Sequence, residues 1–246
     1  IYLALGNKPG TPLADVRVRR AMYLAINEDE IIAKIMGGQA VPAAQIPDSA
    51  CAGFDPTLKR LPYDPEKAKA LLKEAGYPDG FEITLAGPND RYVNDAKIAE
   101  AAVQYLNKVG IKAKLDVKPK SIFFPEVSGG EKHQFYLLGW LDGAYDSARG
   151  LTTNVVTYNK EKGSGGWNGA RFSSPEIDAL VEKAGVTVNL AERDTILRQA
   201  NRLVQDQVAV IPLHYGTDLY GIVKDRGIQF TPRPDRWLVY KDMDKK

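Results

Sequence analysis

Apolar positions along the chain recur with two periods, and the switches between them lay out the elements. Val18, Ala21, Met22 and Ala25 fall on one helix face behind Asp15, whose carboxylate is placed to cap a helix from Val16. Asn27-Glu28-Asp29-Glu30 opens a second helix through Ile31, Ile32 and Ile35, stopped by Gly37-Gly38. Asp64-Pro65-Glu66 starts a third, with a cap, a first-position proline and an acid at the positive end of the dipole. Ala68, Leu71, Leu72 and Ala75 form its inward stripe, and Gly76 and Pro78 end it. Phe81 to Ala86 reads as a strand, Lys97 to Val109 as a helix closed by Gly110, and Ile111 to Val117 as a half-exposed strand of alternating apolar and basic residues. A right-handed crossover makes those two strands parallel. Ser121 to Val127 predicts a short helix, and Gln134 to Gly139, carrying Phe135-Tyr136-Leu137-Leu138, another strand. Ser174-Pro175-Glu176 starts a helix with Ile177, Leu180, Val181 and Ala184 inward. Asn189 and Glu192 have capping-box spacing and open the last helix, through Ile196, Ala200, Leu203 and Val204. Ile1 to Gly6 and Val208 to His214 complete the strands, and Gly216 to Asp218 turns into Leu219 to Val223. The order predicts an α/β fold with a mixed, partly parallel sheet flanked by helices.

Between these elements lie stretches without a period. Asn7 to Pro12 is a loop punctuated by two prolines and a glycine. Gln39 to Pro62 is a long irregular segment, a kind uncommon in compact domains and often functional. Thr152 to Gly166 is polar and glycine-rich, with Gly163-Ser164-Gly165-Gly166 reading as a flexible loop. The tail, with Pro232, Pro234 and Trp237, is expected to fray at its Lys/Asp end. One solvated helix face accounts for Arg17, Arg19 and Arg20.

Composition narrows the classes. The 246 residues carry 33 basic and 31 acidic side chains, net +2, so no strong field favours nucleic acid or an anionic membrane. No apolar run reaches the ~18 residues of a membrane span. The chain opens at Ile1 without a signal peptide, which suggests a mature or truncated product. Cys51 is the one cysteine and is read as a small semi-buried side chain. The only histidines are His133 and His214, and His214, on an apolar strand, is expected to be a satisfied core residue. No serine elbow, metal-ligand spacing or phosphate loop is present, so no catalytic residue, metal or cofactor is expected.

The candidate chemistry gathers in Gly139 to Leu151, where Trp140, Asp142, Tyr145, Asp146 and Arg149 follow the apolar strand. In an open α/β sheet, ligands sit beyond the carboxyl ends of strands. An aromatic plate, two carboxylates and a guanidinium there make a small-molecule contact surface; a solvated polar loop over a core tryptophan is the plainer alternative. Trp167 and Asn168 add an aromatic and an amide, against the commoner case of a tryptophan tucked over the core. Asp142 and Asp146 also admit a paired-carboxylate reading for glycoside hydrolysis.

Five stretches carry a resemblance: DVRVRRAMYLAINEDEII, YDPEKAKALLKEAGYPDGFEITL, the Gly139-Trp140 loop, FSSPEIDALVEKA and IPLHYGTDLYGIVKDRGIQFTPRPD. In this order and spacing they resemble the carboxy-terminal half of extracytoplasmic solute-binding proteins of the dipeptide/oligopeptide/nickel type, the ligand-delivering subunits of ABC importers. The resemblance implies a periplasmic-binding-protein-like lobe, with residues 1–7 as a hinge strand, 8–214 as the ligand-binding lobe and 215–246 returning toward a first lobe that would precede Ile1. It implies a periplasmic monomer that binds a small molecule or peptide and meets a membrane permease, with no nucleic acid and no catalysis. A non-transport, ligand-presenting module is the other role it allows. In peptide-binding members an aspartate four positions after the Gly holds the ligand's α-amino group. Gly143 stands at that position here; Asp142 is one place early and Asp146 matches a later acid. Trp140 matches the pocket tryptophan. A ligand without a free amino terminus, such as a sugar or opine conjugate, is the alternative that the shifted aspartate leaves open.

Overall fold

The structure is a computed structural model that describes residues 1–223, 228–233, 237–239 and 243–245. Its centre is a five-stranded mixed sheet of β1 (Tyr2–Leu5), β3 (Glu82–Pro88), β4 (Lys112–Lys118), β5 (Phe135–Leu138) and β6 (Val210–Pro212), in the order β4-β3-β5-β1-β6. β3 runs parallel to β4 and β5, and β1 is antiparallel to β5 and β6. Two short pairs complete the strands: β2 (Ala40–Pro42) with β7 (His214–Gly216), and β8 (Ile228–Phe230) with β9 (Met243–Lys245). The apolar run expected from Val208 to His214 is thus two strands, broken at Leu213.

Helices cover both faces, which is why YLAL and FYLL are apolar at every position rather than at alternate ones. Leu3, Leu5, Phe135, Leu137 and Ile211 point to one layer. There they meet α1 (Val16–Ala25), α2 (Glu28–Lys34), α3 (Pro65–Glu74) and α4 (Asp95–Lys108). Tyr2, Ala4, Tyr136, Leu138 and Val210 point to the other, against α5 (Lys120–Gly129), α6 (Ser147–Asn154), α7 (Pro175–Val186) and α8 (Leu190–Asp206). The helix starts follow their caps: Asp15, Asn27, Asp64, Ser174 and Asn189 each accept a backbone amide of the first turn.

Four readings change. Ser147–Asn154 is a helix where a loop and a glycine-rich stretch were expected, so Arg149 stands on α6. Arg19 is buried, not solvated; its guanidinium donates to the carbonyls of Leu13, Ala14, Gln207 and Val208 and ties α1 to the end of α8. Ser164 and Gly165 are buried, and the Ser164 hydroxyl donates to Thr157 O at 2.9 Å, so this stretch is a packed turn. His214 is buried as expected but not satisfied, since its Nδ1 has no hydrogen-bond partner among the described residues. Within the stretch 1–7, Tyr2–Leu5 forms an internal strand of the sheet. Of the tail, Pro234 and Lys246 lie outside the described residues, and Trp237 is exposed.

Strand direction decides where the loops gather. β3 and β5 are parallel, and β1 starts, and β6 ends, at the edge where they finish. The turn after β3, the loop after β5, Ile1 and the link to β7 therefore share one edge. Tyr92 seals this junction by donating from its hydroxyl to Gly139 O at 3.2 Å. A Cβ on Gly139 would lie 2.7 Å from the Tyr92 ring and 2.8 Å from Ile1, so the close approach requires glycine there.

Candidate functional site

A cavity opens at this edge, walled by three stretches far apart in sequence. Ile46, Pro47, Asp48 and Cys51 come from the long irregular segment, Trp140, Asp142, Ser147 and Gly150 from the loop after β5 and the start of α6, and Tyr215 from β7. The enclosed volume is about 30 Å³, enough for a couple of water molecules and far below the several hundred Å³ of a typical small-molecule site.

The irregular segment is held against the loop by backbone pairing. Ala52 N donates to Tyr145 O at 2.8 Å and Ser147 N donates to Ala52 O at 3.0 Å. Gly53 N donates to Asp194 on α8, and Asn201 on α8 donates to Gly53 O. Gly53 has φ +81°, and a Cβ there would come within 2.3 Å of the Ser147 hydroxyl. The Tyr215 hydroxyl donates to the carbonyls of Gln45 and Pro47, at 2.8 and 2.6 Å, closing the third side.

Asp142 is buried at 7% exposure, and its carboxylate accepts from Ala144 N and Gly150 N, both at 3.2 Å. The second of these amides belongs to the first turns of α6, whose positive dipole end favours an anion. Trp140 is half-buried and lies against α6; a Cβ on Gly150 would stand 3.1 Å from its Nε1. That Nε1 is buried without a hydrogen-bond partner among the described residues. The Arg149 guanidinium sits 5.6 Å from the Trp140 ring centroid, a cation–π contact on the outer side of α6.

The cavity is electronegative. Burial, then the charges of Asp48 and Asp142, push the Cys51 thiol up to about 12. A thiol so held stays protonated and is a poor nucleophile. Burial likewise raises the Tyr215 hydroxyl well above its ordinary value, with Asp48 adding to the effect. Among the described residues no basic side chain lines the cavity.

The other expected site residues stand apart from it. Tyr145 is half-buried with φ +54°, its N–H donating to Asp142 O at 3.2 Å, so it shapes the turn. Asp146 caps α6 through Ala148 N and pairs with Arg193 on α8 at 2.6 Å. Trp167 packs edge-on against Phe124 with centroids 5.5 Å apart, in the layer with α5 to α8. Asn168, at 2% exposure, donates to the carbonyls of Val155, Val156 and Phe172 and accepts from Phe172 N. Its amide is saturated inside the protein. Asp48, Ser147 and Tyr215 line the cavity without having been expected there. The length of the segment from Gln39 to Pro62 was the one signal pointing toward Asp48. Among the described residues no group of three or more His, Cys, Asp or Glu is placed to hold a metal ion. None of their helices is long and apolar enough to cross a membrane.

Comparison with known proteins meets this geometry. The dipeptide-binding protein of Escherichia coli (strain K12) is 32% identical over 209 residues, 84% of this chain and 38% of that protein. DppA from Helicobacter pylori, an ABC transporter-associated periplasmic binding protein solved in complex with the peptide STSA, is 27% identical with TM-score 0.78, covering 87% of this chain and 41% of its own. HbpA2 from Haemophilus parasuis is 25% identical with TM-score 0.85, covering 100% of this chain and 48% of its own. The chain thus spans less than half the length of each. The model for bacterial extracellular solute-binding proteins, family 5 (middle), matches residues 1–162, and the chain belongs to that family.

Proposed function

We propose that this chain is one lobe of a two-lobed binding protein that takes up a peptide-like solute outside the cytoplasm and hands it to an ABC importer. The small volume of the cavity supports this reading, because a second lobe would enlarge the site and exclude water. Hinge closure around a ligand is an established switch of this kind. A cationic group, such as a peptide's free amino terminus, suits the wall best. The observation that carries this is the buried Asp142 carboxylate, facing a cavity that also holds Asp48 and, among the described residues, no basic side chain. Asp142 thus takes the role of the family's aspartate from one position earlier. The relatives' names support the ligand class, since one binds dipeptides and another was solved with a tetrapeptide. A hydrolase working through Asp142 and Asp146 is disfavoured, because Asp146 does not line the cavity and is engaged with Arg193.

The test is a titration of di- to tetrapeptides, with free and with acetylated amino termini, into this chain. One wall alone should hold a free-terminus peptide at the millimolar level, about −4 kcal/mol, and acetylation should weaken it at least tenfold. Equal affinity for both forms, or sustained release of product, would overturn the reading.

A further inference from the structure

Behind the cavity wall lies a group of buried ionisable side chains that the binding role does not use. Glu28, in the first turn of α2, is fully buried. Its Oε1 lies 3.3 Å from His214 Nδ1 and its Oε2 lies 3.3 Å from Arg60 Nη2. None of Glu28 Oε1, His214 Nδ1 or Arg60 Nε has a hydrogen-bond partner among the described residues. Arg60 is committed elsewhere: Nη1 donates to Leu61 O and Nη2 to Ile26 O, both at 3.2 Å, and its guanidinium lies over the Tyr23 ring. The groups facing Glu28 are Tyr23 from α1, Asp29 beside it on α2, Arg60 from the irregular segment, His214 from β7 and the amino group of Ile1.

A carboxylate and a neutral imidazole with an unprotonated Nδ1 would set two acceptors against each other in a buried interior. A single proton between them removes the conflict. Placing it on the imidazole leaves a buried ion pair whose carboxylate lacks amide donors; placing it on the acid leaves two neutral groups, which burial favours. We propose that Glu28 and His214 form a latch that holds one proton, resting on Glu28 beside the neutral imidazole, and that fixes the β7 side of the cavity wall. The position of His214 gives the latch its reach. Its backbone N–H donates to Ile1 O and its carbonyl accepts from the Ile1 amino group at 2.8 Å. Across the sheet pair it faces Pro42 of β2, and the next residue is Tyr215 of the cavity. Electrostatics agrees with the proton's placement. Burial pushes Glu28 up to about 8 against the pull of Arg60, and pushes His214 down to about 3.

The pH dependence follows from counting protons. Between the ordinary values of 4.5 for the acid and 6.5 for the imidazole, the unfolded chain holds one proton on His214 and the folded chain one on Glu28. Folding moves a proton and gains none, so the pair contributes no slope there. From 6.5 to about 8 the folded state holds one proton more, and stability falls as pH rises. From 4.5 down to about 3 the unfolded state holds one more, and stability falls as pH drops.

The experiment is ¹⁵N NMR of the His214 imidazole in this chain from about pH 4 to 9, with the Tyr215 amide followed in the same samples. The expected result is a neutral ring with unprotonated Nδ1 that does not titrate near its ordinary value. Both signals should then shift together as Glu28 loses its proton. An imidazolium at neutral pH, ordinary titration of His214, or a Tyr215 amide that ignores the transition would overturn the proposal. Glu28→Gln, which mimics the protonated acid, should fold and lose the alkaline transition; retention of that transition in the variant would also overturn it. The wild-type spectra decide the matter if the variant does not fold. The outcome is independent of whether the cavity takes peptides.

Discussion

Trp140 and Trp167 both stand in short turns beside glycines and amide or carboxylate side chains, and the two turns end differently. Around Trp167 the Asn168 amide is used internally: Asn168 makes four hydrogen bonds, and the Trp167 carbonyl accepts from the Tyr136 hydroxyl at 2.6 Å. Around Trp140 capacity is left over, in an indole N–H without a partner among the described residues and a buried carboxylate that holds two long amide contacts there. A saturated polar group inside a protein is a structural peg, whereas an unsaturated one beside a cavity carries a cost that a ligand can relieve. The two turns therefore differ in how far their polar groups are paired, although their compositions are alike.

Substitutions can separate the two roles. The largest expected effect is on the saturated side: Asn168→Ala leaves three carbonyls and one amide unpaired and should cost about 3 kcal/mol in chemical denaturation, with no loss of peptide affinity beyond that due to unfolding. Asp142→Asn should show the reverse, with affinity for free-terminus peptides down about 30-fold, ~2 kcal/mol, and a stability change of about 1 kcal/mol or less. Calorimetry on both variants checks the pair; a crossed result would dissolve the distinction. Gly150→Ala should have the smallest effect, roughly 1 kcal/mol, because the new methyl meets Trp140 Nε1 at 3.1 Å and the indole must shift by a few tenths of an ångström. A blue or red shift of its fluorescence without unfolding is the expected sign.

The double-sided core was legible because it is written in local patterns. Continuous apolar runs at Tyr2–Leu5 and Phe135–Leu138 marked strands covered on both faces, and cap residues set the starts of five helices. α6 was not legible, because SARGLTTN carries a glycine and two threonines, poor helix formers, and its stability comes from buried Leu151 and the Asp146 cap. Arg19 misled for a different reason. It lies on the inward face of α1, three positions before Met22, and only the carbonyls brought in by the end of α8 make its burial affordable. Trp140 and Asp142 were legible as cavity residues because they follow a buried strand end. Asp48 and Tyr215 were not, since no local pattern ties residues 167 positions apart that fold onto one wall.

The central claim, that the Trp140 wall touches cargo and the Trp167 turn does not, is tested most directly by tryptophan fluorescence during peptide titration of Trp140→Phe and Trp167→Phe variants. The account predicts that the ligand-dependent signal disappears in Trp140→Phe and persists in Trp167→Phe. A signal that survives the loss of Trp140, or follows Trp167, would contradict it.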